Sequence, residues 1–133
     1  MEYLDTKYFS YADPNDPIHR KALIRSIEFM SGQPYLYNIY REYQKNPERW
    51  DSFWEGCVDL LKLDIQYDKE KIKNVPSEGP LMIVANHPFG VLDGLVICWL
   101  TSKIRSEFKV LTHSLLLRMS ETKGYLLPID FSE

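Results

Sequence analysis

The chain has 133 residues, which suits one domain, and its formal net charge of −3 at pH 7 gives no reason to expect a nucleic-acid partner. Hydrophobic residues make up 44% of it and aromatic residues 14%, enough for a core, and anionic lipid would have to be met by a local basic patch. Cys57 and Cys98 show neither metal-ligand nor redox spacing, so both are expected to be reduced and buried, as in a cytosolic protein.

No basic-then-apolar leader opens the sequence. Its longest apolar stretch, residues 95–100, is far below the ~20 residues of a spanning helix. Membrane contact is therefore expected to be peripheral, on the cytoplasmic face.

Residues 1–15 are polar and aromatic without a period and read as an irregular arm. Asp16-Pro17 is a helix start, since Asp can cap and Pro suits the first helical position. Ile18, Ala22, Ile24 and Ile27, with Phe29 or Met30, follow at roughly helical spacing, and Gly32 ends the run. Pro34 opens a second helix with Leu36, Ile39, Tyr40 and Tyr43 along one side. Asn46-Pro47 is read as the cap of a third, whose stripe is Trp50, Phe53, Trp54, Cys57, Val58, Leu60 and Leu61. Short connections marked by proline suggest antiparallel packing. Tyr35, Tyr37, Tyr40 and Tyr43 read either as core or as a membrane-interface surface, and core is the simpler reading. Arg20, Lys21 and Arg25 likewise read as a solvated helix face before they read as a lipid contact.

The second half changes period. Residues 63–67, LDIQY, read as a short strand, residues 68–73 as a charged connection, and residues 74–80 as a loop of turn formers. A short run rich in Ile and Val, residues 81–85, reads as a buried central strand. A helix is expected over 91–104, packing Leu92, Leu95, Val96, Trp99 and Leu100 on the sheet. Strands are expected over 108–112 and 126–131, with a short helix over 114–119 between them. Strand–helix–strand order argues an α/β fold with a mostly parallel sheet and right-handed crossovers. The chain thus divides into an N-terminal helical region, 1–62, and a partial α/β domain, 63–133.

The chemistry concentrates in Asn86-His87-Pro88-Phe89-Gly90 and Asp93-Gly94. Open α/β sheets place their chemistry at the carboxyl ends of strands, where His87 would sit. An imidazole titrates near neutral pH and can act as a general base. A carboxylate on one ring nitrogen would fix its tautomer and stabilise the imidazolium, and Asp93 is the acid nearest in sequence. Pro88 and Gly90 would hold the turn and let a substrate approach the backbone. With no Ser or Cys nucleophile in the turn, the simplest chemistry is direct. His87 would deprotonate a substrate hydroxyl that then attacks an activated acyl group. On spacing alone this stands level with the plainer reading, in which His87 caps a turn and Asp93 caps a helix.

This motif, after an apolar strand, resembles the first motif of the glycerolipid (lysophospholipid) acyltransferases. The resemblance is closest to the branch labelled hemolysin-like, where Pro-Phe-Gly follows the histidine. The broad family places four residues between His and Asp, whereas here Pro88, Phe89, Gly90, Val91 and Leu92 intervene, a shift ascribed to that branch. The resemblance runs from Pro80 to the C-terminus and implies a glycerol-3-phosphate acyltransferase-like fold. It implies His87 as base and Asp93 as its orienting partner, with Asn86, Pro88, Phe89 and Gly90 on the substrate side. Lys109 lies where the family often has a lysine, so it reads as a phosphate contact or as a strand-edge lysine in solvent. His113 follows a predicted strand on the same edge, but without ligand spacing no metal is expected.

Leu127-Pro128-Ile129-Asp130-Phe131 resembles the second motif, a strand ending in Ile-Asp-Arg, with Phe131 in the arginine's place. The third motif, Phe-Pro-Glu-Gly, does not occur, so the sequence reads as the N-terminal portion of such an enzyme. The implied activity moves a fatty acyl group from an acyl-CoA or acyl carrier protein thioester, a co-substrate and not a bound cofactor. The implied acceptor is a hydroxyl of a lysophospholipid or glycerolipid. Two alternatives stand beside it, a non-catalytic lipid- or partner-binding remnant and a hydrolase using His87 to activate water.

Overall fold

The computed structural model describes residue 12 and residues 15–30, 33–113 and 119–129. In chain order it contains α1 (Ile18–Met30), α2 (Gln33–Lys45), α3 (Phe53–Leu60), α4 (Lys69–Lys73), α5 (Val91–Ser102), β1 (Val110–His113) and β2 (Leu126–Ile129).

The helix starts follow their caps. The Lys21 N–H donates to the Pro17 carbonyl at 3.0 Å, closing the first turn of α1, and Asp16 pairs with Arg20 at 3.2 Å. The third helix does not run on from Asn46-Pro47. Residues Pro47–Arg49 make one tight turn, whose Asn46 side chain forms no capping hydrogen bond, and α3 starts afresh at Phe53. The reason is Ser52, whose Oγ accepts the Glu55 N–H at 3.1 Å and satisfies a donor that Asn46 leaves open. Two crossed bonds close α3, Lys62 N–H to the Asp59 carbonyl and Leu63 N–H to the Val58 carbonyl, with Lys62 at φ 54°. The charged connection at 68–73 is itself largely helical, as α4. Asp68 Oδ1 accepts the N–H groups of Glu70 and Lys71 at 3.0 and 3.1 Å.

The core is aromatic and joins both halves of the sequence. Tyr43 of α2, Phe53, Trp54 and Val58 of α3, and Leu95, Cys98 and Trp99 of α5 form one buried cluster. Tyr43 stacks on Trp50 with centroids 5.6 Å apart and meets Phe53 edge-on at 5.2 Å. Trp54 meets Tyr125 edge-on at 5.4 Å, bringing the approach to β2 onto the same core. Gly56 lets the Tyr43 ring of α2 lie directly on α3, since a methyl group there would stand 2.6 Å from Tyr43 Cδ2. The core reading of the tyrosines therefore holds for Tyr43, which is buried, and for Tyr40, packed against the cluster, while Tyr35 is exposed. Tyr40 donates to Glu121 Oε2 at 2.8 Å, and burial together with that carboxylate pushes its hydroxyl up to about 12.

Helix α5 lies close to its predicted span and buries Leu95 and Trp99 of the predicted face, with Val96 and Leu100 half-buried. Its buried residues are Leu95, Cys98, Trp99 and Thr101, while Leu92 is exposed. Its main partner is α3 and not the sheet, which rotates the buried stripe toward Cys98. Cys98 is buried and Cys57 half-buried; both are free, and burial pushes each thiol up to about 12.

β1 and β2 pair in parallel, Val110 opposite Leu126 through His113 opposite Ile129. Helices with a small parallel sheet are consistent with the α/β class. Two of the predicted strands take no ladder among the described residues. Residues 63–67 alternate, with Leu63, Ile65 and Tyr67 packed against the helical core and Asp64 and Gln66 outward. The period-two signal is real there, but the inner side meets helices. Residues 81–85 are neither strand nor buried. Leu81, Met82, Ile83 and Val84 are exposed, Met82 and Val84 at 86%. An apolar, β-branched run states a preference for a sheet, whereas a strand also needs a neighbouring edge, which local sequence does not supply. The arm at 1–15, apart from Ala12 and Asn15, the Gly32 helix end, residues 114–118 of the short predicted helix, and Asp130 and Phe131 lie outside the described residues. Among the described residues no helix is long and apolar enough to cross a membrane.

Candidate active site

The site is built on the first turn of α5. Gly90 stands at the N-cap with φ 61° and ψ −124°, a backbone conformation that side-chain-bearing residues avoid, so a glycine is needed for the chain to reverse into the helix. The Gly94 N–H donates to the Gly90 carbonyl at 3.3 Å and closes that turn. With Gly90 offering no side chain, the cap comes from inside the helix: Asp93 Oδ2 accepts the Phe89 N–H at 2.7 Å. One carboxylate thus binds the residue before the helix to the helix's first turn.

The same oxygen faces the histidine. His87 Nδ1 is 3.9 Å from Asp93 Oδ2, an ion-pair distance when the ring is protonated and longer than a hydrogen bond. The His87 side chain is 63% exposed and that of Asp93 23%, so solvent or a substrate reaches the ring while the carboxylate is sheltered. A methyl group on Gly94 would lie 3.8 Å from His87 Cε1, which places the ring over the first turn of α5. Because Nδ1 faces the carboxylate, Nε2 is the nitrogen left for a reacting proton. Asn86, Pro88 and Phe89 are all exposed around it, Phe89 at 74%. The Phe89 amide is committed to Asp93 and so is not a donor for a developing oxyanion.

The other predicted residues stand elsewhere. Lys109 is exposed and its Nζ donates to the Gly124 carbonyl at 2.5 Å, tying the approach to β1 to the turn ahead of β2. His113 ends β1 opposite Ile129, at the carboxyl edge of the strand. Leu127, Pro128 and Ile129 of the second motif form β2. Among the described residues no group of three or more His, Cys, Asp or Glu side chains converges.

Three supporting residues escaped the sequence reading. Glu55 Oε2 accepts the Trp99 Nε1–H at 2.7 Å and the Lys103 ammonium at 2.5 Å, which fixes α5, and with it Asp93, against α3. The lysine's hydrogen bond holds the Glu55 carboxyl below its ordinary range, against the opposing pull of burial. Arg105 donates to the carbonyls of Pro76 and Gly79 at 3.0 and 2.8 Å, anchoring the loop that leads into residues 81–87. Only Glu55 left a signal in the sequence, as the acid three residues after a serine cap.

No family model matches the chain, and no solved structure matches it. Two curated proteins are similar over part of it. A lyso-glycine lipid O-acyltransferase of Phocaeicola vulgatus is 27% identical over 94 residues, 70% of this chain and 33% of that protein. A protein of the same name from Bacteroides thetaiotaomicron is 29% identical over 79 residues, 59% of this chain and 28% of that protein. The chain is therefore similar to lipid O-acyltransferases, and the matched stretch spans about a third of the length of these relatives.

Proposed function

We propose that the chain carries the base-bearing part of a lipid O-acyltransferase, with His87 as general base and Asp93 as its orienting partner. The observation that supports it is the pairing of an exposed imidazole with a sheltered carboxylate 3.9 Å away at a helix start, in a chain similar to lyso-lipid O-acyltransferases. His87 Nε2 takes the proton of an acceptor hydroxyl as its oxygen attacks the thioester carbonyl. The C–S bond then breaks, and the leaving thiolate takes the proton back from the imidazolium. The donor is an acyl-CoA or acyl carrier protein thioester. The acceptor is a lyso-lipid hydroxyl, of lysophospholipid or glycerolipid type. Asn86, Pro88, Phe89 and Gly90 border the place where the two meet, and the work is done at the cytoplasmic face of a membrane.

The direct measurement is transfer of a mass-labelled acyl group from thioester to lyso-lipid. His87→Ala is expected to lower the rate by about a hundred- to ten-thousand-fold, the usual worth of a positioned base. Circular dichroism should be unchanged, because the side chain is exposed. Full activity in His87→Ala would remove the proposal. The unladdered apolar segment before the turn favours a second reading, a non-catalytic lipid- or partner-binding remnant. Liposome binding with no turnover by the parent chain would select it. Release of free fatty acid without an acceptor would select a hydrolase instead.

A further inference from the structure

The His87 turn is the last part of a longer segment whose two ends are built alike. Gly79-Pro80 opens it and Pro88-Phe89-Gly90 closes it, so a glycine and a proline stand at each end. Gly79 at φ 77° and Gly90 at φ 61° are the glycines of positive φ among the described residues. A side chain at either would meet no atom within 4 Å, so both positions need a glycine for its backbone and not for space. At each end the segment is also tied to one helix. Arg105 holds the Pro76 and Gly79 carbonyls, and Asp93 holds the Phe89 amide. The Arg105 N–H donates to the carbonyl of the buried Thr101 at 2.9 Å, so the first anchor is set on α5 as firmly as the second. Between the anchors, residues 81–86 take part in no hydrogen bond among the described residues. Leu81 and Ile83 are 38% and 44% exposed while Met82 and Val84 are 86% exposed, the alternation of an extended chain with one side outward. The segment also has slack. From Asp93 to Arg105 the helical rise is roughly 18 Å. The stretch from Gly79 to Phe89 can reach roughly 33 Å when extended. It is therefore a strap, hinged at two glycines and free between them. It carries His87, whose Nδ1 lies 3.9 Å from Asp93 and makes no hydrogen bond to it.

We infer that residues 80–88 are a strap that closes on the acyl chain of the bound thioester and, in closing, brings His87 Nδ1 into hydrogen-bond contact with Asp93. The choice of occupant rests on the acyltransferase reading and follows from position. The reacting carbonyl has to lie at His87 Nε2, and the acyl chain starts one bond from that carbon. The surface that leads away from His87 is the run ending at Val84. Between Glu78 and Asp93 the sequence has no charged residue, His87 aside, so an apolar chain laid along it meets no charge. Covering Met82 and Val84 supplies the driving force for closure. Catalytic hydrogen bonds that are long in a free enzyme tighten in this way as substrate binds and loops close over it. Val84 is three residues from His87, about 10 Å along an extended chain. A two-carbon acyl group ends before it and leaves the strap open, whereas a long one reaches it. The pairing of His87 with Asp93 is thus completed by the donor's chain.

The test uses the decyl thioether of pantetheine, the arm common to coenzyme A and acyl carrier protein, which cannot transfer its chain. Pantetheine alone is the control. Amide exchange of the full chain is expected to slow over residues 81–87 with the decyl thioether and not with pantetheine. The His87 Nδ1 proton, lost to fast exchange on an exposed ring, should appear at low field in the same sample. Met82→Ser should weaken binding of the decyl thioether by about tenfold, from the burial value of one large apolar side chain. Met82 is exposed, so unchanged circular dichroism separates lost binding from lost folding. No binding of the decyl thioether, or binding that leaves residues 81–87 unprotected, overturns the inference. So does a Met82→Ser chain that binds like the parent. Protection brought by phosphatidylcholine vesicles alone, or by raising the concentration of the free chain, would assign the run to a bilayer or to a second copy and overturns it too. His87→Ala keeps the two proposals apart. If the catalytic reading fails, His87→Ala keeps its turnover while the decyl thioether still protects residues 81–86. If closure alone fails, turnover still depends on His87 and the protection is missing.

Discussion

The helical core and the His87 turn are held in opposite ways. The core is held by contacts distant in sequence: Trp99 of α5 donates to Glu55 of α3, and Tyr43 of α2 lies over Gly56. The turn is held by contacts within a few residues, Asp93 to the Phe89 amide and Gly94 to the Gly90 carbonyl, and the residues before it are exposed. Stability therefore belongs to the first region and the proposed chemistry to the second. A turn set up by local bonds on a rigid helix can hold its geometry while leaving its histidine open to solvent.

The largest test of this division is Trp99→Ala. It removes a buried side chain that also meets Tyr67 edge-on, and is expected to cost about 3–5 kcal/mol, seen as a large fall in the thermal midpoint. Retention of the parent's midpoint would mean that the core does not hold the molecule together.

A matched pair of glycine substitutions comes next. Gly56→Ala forces a methyl group to 2.6 Å from the Tyr43 ring and should cost about 1–3 kcal/mol by overpacking, less what alanine gains as a helix former. Gly90→Ala meets no atom within 4 Å, so its cost, about 1–3 kcal/mol, is purely of backbone conformation at φ 61°. The first should lower the midpoint of the whole molecule. The second should act locally, raising amide exchange at the start of α5 and lowering transfer activity. The same signature from both would erase the distinction.

Asp93 separates bond from charge on a smaller scale. Asp93→Ala removes the acceptor of the Phe89 amide and should cost about 1 kcal/mol, the usual value of a helix cap. Asp93→Asn keeps an acceptor oxygen and should leave stability near the parent while lowering transfer, by less than His87→Ala does. An Asp93→Asn chain with parental turnover would reduce Asp93 to a cap.

The smallest effect is on the pH dependence of stability. The Glu55 carboxyl is held below its ordinary 4.5, chiefly by Lys103, so it favours the folded state above that value. The contribution is lost as pH falls through the depressed folded value, because the unfolded chain takes up the proton first. Both partners are partly exposed, so the effect should be modest and weakened by salt. Glu55→Gln should flatten the acid limb of the stability curve, and an unchanged limb would assign acid sensitivity elsewhere.

Much of the local structure is legible in the sequence. Pro17 and Pro34 mark helix starts, the aromatic stripe of α3 gives core residues, and the motif around His87 foretells a histidine beside a carboxylate at the head of a helix. The misplaced third helix was legible too, since Ser52 with Glu55 is a cap and Asn46 competes with it only by composition. The extended segments were not legible, because alternation and β-branching report that a residue wants a buried, extended setting without naming its neighbour. Residues 63–67 found helices and residues 81–85 found no ladder.

What the sequence by itself determined is everything that acts over three or four residues: caps, helix faces, the glycine that Gly90's φ requires, and the spacing that lets Asp93 reach back to Phe89 and toward His87. Tertiary structure alone decided that Cys98 and not Leu92 completes the inward face of α5, that Glu55 anchors it, that Leu23, Ile27 and Met30 are left in water, and which strands pair. The physical reason is range. A cap or a turn is a bond between near neighbours and is set by their identities, whereas burial and strand pairing depend on which distant surface arrives, and no residue carries that information alone.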